Sequence, residues 1–159
     1  SLFIGLVLGF VLSFVTSRFE EVLSANISVA FFIPFVVYMA AAVGAQTQNI
    51  YARDLKTGRA KFSNYLVKES ILGVVLGLVF GLITVPIVSA WFHSASLTLT
   101  VSLATFLAVG VAPLIALLVT EFLQIEHTDP AVGAGPIATV IQDTVSIVIY
   151  GLVASAVML

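Results

Sequence analysis

The chain has 159 residues, 60% of them hydrophobic and 9% charged, with a mean hydropathy of +1.19. Soluble domains carry about 25% charge, so a water-soluble globule is excluded and an integral membrane protein is expected. A net charge of −2 gives no basic footprint for nucleic acid, and a chain without cysteine has neither disulfides nor thiolate metal sites. The length suits one domain, and the opening at Ser1 directly into an apolar run reads as a trimmed domain rather than a signal peptide.

A membrane-crossing helix takes about 20 apolar residues. Five stretches approach that length, at 2–17, 27–52, 69–92, 97–122 and 131–158. Long apolar runs, rather than ten-residue alternation, predict an all-α integral membrane fold: a five-transmembrane-helix bundle in a single domain, 1–159. The first span is short. Between spans two and three the segment ARDLKTGRAKFSNYLVKES holds Arg53, Lys56, Arg59, Lys61 and Lys68, five of the six basic residues. By the positive-inside rule this 53–68 loop and the N-terminus face the cytoplasm and the C-terminus lies outside, as expected of a multi-pass cell-membrane protein.

Span three carries Glu69, Gly73, Gly77 and Gly81 at intervals of four. That spacing aligns them on one helix face and predicts close packing of two helix backbones. In span four Pro113 lacks an amide donor and is expected to kink or widen the helix, with Pro34 and Pro136 doing likewise in spans two and five. Pro130 suits the first turn of span five, after Asp129 as N-cap.

Span five raises the main question about function. Thr139, Asp143, Ser146 and Tyr150 step by four, three and four residues and share one face, which Pro136 extends. At 1.5 Å per residue Asp143 lies roughly 20 Å along the helix from Asp129, deep in the bilayer. An ionised carboxylate there costs at least about 2.5–3.5 kcal/mol. Every Lys and Arg lies at a span end or in a loop, which leaves three partners for Asp143: hydrogen-bond donors such as Gln142, Thr139 and Ser146, a proton, or a cation from solution. Two readings follow, a hydrogen-bonded acid that fixes helix packing or an aqueous cation pathway with Asp143 as its ion site. In span two Ala42, Gln46, Asn49 and Arg53 repeat the four-three-four spacing, with Tyr38 a turn earlier, and form a second polar face. His93 and His127 have no partner at zinc-ligand spacing and read as solvated. Glu121, Glu126 and Asp129 read as an acidic, solvated cytoplasmic end, with concentration of cations at a pore mouth as a second role. No catalytic pattern is present, and a non-enzymatic role is expected.

The stretch DPAVGAGPIATVIQD, followed by SIVIY, resembles the last transmembrane helix of the MgtE family of magnesium channels and transporters. FIPFVVYMAAAVGAQTQNIYAR is similar to that family's second signature, and KES with its following glycines to the start of its third helix. The likeness covers all five spans in order. It implies a homodimer with the ion path on the two-fold axis, lined by spans two and five. It also implies that Asp143 binds hydrated Mg²⁺ in the pore, that Asp129 stands at the cytoplasmic entrance, and that Gly135, Pro136 and Thr139 are motif positions. Ala40, Ala41 and Ala42 replace the family's Gly-Gly-Asn, while Gly44, Gln46 and Arg53 remain.

The expectation is therefore a channel or transporter for Mg²⁺, or for Mn²⁺ or another divalent ion. Asp143, Asp129, Thr139, Ser146, Gln46 and Ala42 form its metal path, and lipid and a second copy are its partners. Solute-carrier relatives that join two such units leave a heterodimer open. The alternatives are a proton- or Na⁺-coupled exchanger and a non-transporting scaffold or partner subunit.

Overall fold

A computed structural model describes residues 2–125 and 130–159, with side chains described outside 130–135. Seven helices occupy the described residues: α1 (Leu2–Ser17), α2 (Glu20–Ala25), α3 (Ile27–Phe31), α4 (Ile33–Lys56), α5 (Phe62–Phe92), α6 (Ala95–Ile125) and α7 (Pro130–Met158). Helix lies in all five expected stretches. Among the described residues, four segments are long and apolar enough to cross a bilayer, namely Ile27–Lys56, Phe62–Phe92, Ala95–Ile125 and Pro136–Met158. Helix α1, with 16 residues, is shorter than a bilayer core requires.

The breaks have local causes. Asn26 caps α3, its Oδ1 accepting the Ser28 amide at 3.1 Å. Pro34 stands in the first turn of α4. It has no N–H for the carbonyl four residues back, so the helical ladder is interrupted around Phe32 and Pro34 starts a helix rather than bending one. Helix α5 ends at His93, in the left-handed region at φ 50°, where its N–H donates to the Ser89 carbonyl at 3.0 Å. Ser94 then caps α6, its Oγ accepting the Leu97 amide at 3.2 Å.

Helix α6 is the centre of the bundle. It packs on α5, α7 and α4, and buries Leu97, Val101, Ala104, Ala108, Ala112 and Leu117. Its threonines keep their hydroxyls within the helix: Thr105 donates to the Val101 carbonyl at 2.7 Å and Thr120 to the Ala116 carbonyl at 2.8 Å. The predicted glycine face of α5 packs against α6. A Cβ added at Gly73 would lie 2.5 Å from the Gly110 carbonyl oxygen, and one at Gly77 2.6 Å from that of Phe106. Only residues without a side chain allow backbones this close. Pro113 lies inside an unbroken α6, and its ring fills the space over Gly73.

Aromatic rings gather at both ends. Phe32 stacks edge-on against Phe92 at 5.4 Å, beside Trp91, while Tyr51 meets Tyr65 at 5.0 Å at the opposite end. From Tyr65 to Trp91 along α5 is roughly 40 Å, the thickness of a bilayer with its headgroups. Amphipathic rings prefer the interfaces at either side.

Candidate functional site

Helices α4 and α7 pack against each other and against α6, and they carry the polar positions read from the sequence. On α4 the whole series Tyr38, Ala42, Gln46, Asn49 and Arg53 is exposed. The rest of the bundle covers the other side of the helix, burying Val36, Ala40, Val43, Gly44, Thr47 and Tyr51. On α7 Thr139 is exposed and Asp143 half-buried. Polar and small positions of both helices thus lie on surface the chain leaves uncovered.

The deeper members of the α7 series turn into the bundle. The Ser146 hydroxyl is buried and donates to the Gln142 carbonyl at 2.8 Å. Tyr150, 2% exposed, donates its hydroxyl to the Val29 carbonyl at 2.5 Å, tying α7 to the end of α3. Gln142, a candidate donor to Asp143 from sequence, points the other way. A Cβ on Gly44 would lie 3.1 Å from its Oε1 and 3.5 Å from the Ala112 carbonyl oxygen. There, between α4, α6 and α7, a cavity of about 30 Å³ is lined by Ala41, Gly44, Ala45, Gln48, Ala138, Thr139 and Gln142, among others. This cavity brings Thr139 together with α4. Ala42 and Gln46 stand on the neighbouring exposed face of α4, outside its lining. Asp129, Glu126 and His127 lie outside the described residues.

Two carboxylates near the basic end hold helices together. Glu69, 2% exposed, accepts the Thr47 hydroxyl at 2.9 Å, joining α5 to α4. Glu121 is half-buried rather than solvated and accepts the Tyr51 hydroxyl at 2.6 Å, joining α6 to α4. Tyr65 donates to Asp54, which also pairs with Arg53 at 3.1 Å. Sequence reasoning placed Glu69 on the glycine face but missed its partner. The available signal was a carboxylate continuing a close-packed stripe, where a neighbouring helix must supply a donor.

No group of three or more His, Asp or Glu side chains converges as a metal cage among the described residues. Along α7, Thr139 and Ser146 stand one turn to either side of Asp143 with hydroxyls, and Gln142 beside it carries an amide.

These features define a polytopic α-helical membrane protein with an acid in the apolar interior of one helix and an amide-bearing face on the helix beside it. Comparison with known proteins narrows the class. A family model described as "MgtE: Divalent cation transporter" matches residues 33–153, from α4 through most of α7. A magnesium transporter MgtE of Enterococcus faecalis is 31% identical over 153 residues, covering 94% of this chain and 34% of that protein. Proteins of the same name from Bacillus subtilis and Thermus thermophilus are each 27% identical, over 158 and 145 residues. The chain belongs to the MgtE family of divalent cation transporters. It spans about a third of the length of these relatives.

Proposed function

We propose that this chain is the membrane domain of a magnesium transporter and carries divalent cations through a path formed where two copies meet. Asp143 is the central ion site in this reading, and Thr139, Gln46 and Ala42 stand along the wall. Ser146 supports the wall from within the bundle, and Asp129 marks the cytoplasmic entrance. The observation that carries the reading is Asp143 itself, half-buried in the apolar part of α7. All six basic residues, Arg18, Arg53, Lys56, Arg59, Lys61 and Lys68, lie outside α7.

A cation between two copies reconciles their pairing with electrostatics. A single Asp143 leaves one charge on the uncovered surface, and two facing copies would repel unless a cation lay between them. A two-fold axis is the usual symmetry for such a seam. Relatives that carry the name magnesium transporter support Mg²⁺ as cargo. The basic loop between α4 and α5 supports a cytoplasmic 53–68 loop and N-terminus, with the C-terminus outside.

Reconstitution of the chain into liposomes containing a trapped Mg²⁺ indicator tests this function. Inward Mg²⁺ flux down its own gradient, above that of empty liposomes and independent of imposed pH or Na⁺ gradients, is the expected result. Flux that appears only with a proton or Na⁺ gradient would make the protein an exchanger. No flux above empty liposomes from folded protein would leave Asp143 a packing device and contradict the proposal.

A further inference from the structure

Gln142 stands out because its polar atoms have no counterpart. The residue is 5% exposed, and neither its Oε1 nor its Nε2 has a hydrogen-bond partner among the described residues. A buried amide left dry carries an uncompensated desolvation cost, so something else must satisfy it. The side chain borders the cavity of about 30 Å³ between α4, α6 and α7. One water needs about 10–15 Å³ measured this way, together with two to four polar partners. Gln142 Oε1 and the Ala112 carbonyl oxygen both approach the space over Gly44, and Gln48 adds a second amide to the lining. Among the described residues no carboxylate lines the cavity, and its size excludes an organic ligand.

We propose that this cavity is an ordered-water site, in which one or two water molecules bridge the Gln142 amide to the Ala112 carbonyl and to Gln48. The bridge couples α7 to α4 and α6 at the position preceding Asp143. Adjacent residues on a helix are about 100° apart, so holding Gln142 inward fixes the rotation of α7 that turns Asp143 toward the uncovered surface. Gln142 is thus a positioning residue for Asp143, a consequence that rests on the ion-path reading above.

Gln142→Met keeps the length of the side chain and removes its hydrogen-bonding groups. If water is bound, the variant strips it of an anchor, and the thermal midpoint of the purified protein falls by about 2–4 °C or more. A dry amide would be relieved by methionine, so an unchanged or higher midpoint overturns the proposal. An experimental density map of the wild-type protein at water-resolving resolution gives an independent test. Peaks about 2.7–3.2 Å from Gln142 Oε1 or Nε2 are expected. A dry cavity overturns the site, as does a peak ringed by oxygens at about 2.0–2.6 Å, which marks a cation. The positioning role predicts a severalfold rise in the Mg²⁺ concentration giving half-maximal flux in Gln142→Met, and an unchanged value overturns that role. If Asp143 is not the ion site, flux becomes insensitive to Asp143 substitution while the midpoint and the map still decide whether water is bound.

Discussion

Tyr150 and Asp143 belong to one helical series but differ in what surrounds them. The Tyr150 hydroxyl is buried against the Val29 carbonyl, where the break around Phe32 leaves that oxygen only a 3.4 Å bond from the Phe32 amide. Tyr150→Phe should therefore cost about 1–3 kcal/mol of stability, read as a lower unfolding midpoint in detergent. Flux per folded molecule should be unchanged, and a loss exceeding the loss of folded protein would give the hydroxyl a role in transport. Thr47→Val removes a donor from the buried Glu69 carboxylate. It should destabilise by a similar about 1–3 kcal/mol, checked by the same unfolding measurement. The exposed polar series of α4 was legible because its spacing is local. The partners of Tyr150 and Glu69 were not, since one is a backbone carbonyl and the other a hydroxyl on a different helix, and neither leaves a periodic trace.

At the scale of elements, the contact between α5 and α6 depends on what is missing from Gly73 and Gly77. A methyl group at Gly77 would meet the Phe106 carbonyl oxygen at 2.6 Å, and backbone cannot move aside as a flexible side chain does. Gly77→Ala should cost about 1–3 kcal/mol through forced separation of the helices. Gly5→Ala on α1, with nothing within 4 Å of the added atom, should leave the midpoint unchanged or slightly higher. Paired thermal unfolding curves check the contrast, and equal effects would contradict the packing argument. The glycine face could be read from its period of four, and the start of α7 at Pro130 from the fit of a proline to a first turn. Helix α2 and the α3/α4 break were harder to see. Asn26 and Pro34 interrupt a stretch whose apolar composition runs on without change, so hydropathy merges what capping and a missing amide separate. The central place of α6 was also hidden, because all the long helices are apolar and only the packed bundle shows which is enclosed.

For the whole molecule, the exposed series Tyr38, Ala42, Gln46, Asn49 and Arg53 gives the proposed pairing a direct check. The chain has no cysteine, so Gln46→Cys introduces a single thiol. If the α4 faces of two copies meet at the axis, mild oxidation in liposomes should produce a covalent dimer, whereas Ile71→Cys on the exposed side of α5 should not. Monomer only at Gln46, or equal dimer at both positions, would place the seam elsewhere. The helical membrane class and the family could be read from sequence. The direction of Gln142 and the cavity beside it could not, since a one-residue step along α7 separates the surface from the bundle interior. The central claim is that the Asp143 carboxylate holds the passing cation, and Mg²⁺ flux into liposomes carrying wild-type or Asp143→Asn protein tests it most directly. Asparagine keeps the size and removes the charge. A charged hydrogen bond is worth about 1.5–3 kcal/mol, so flux at sub-saturating Mg²⁺ should fall by about tenfold or more, and flux equal to wild type would contradict the account.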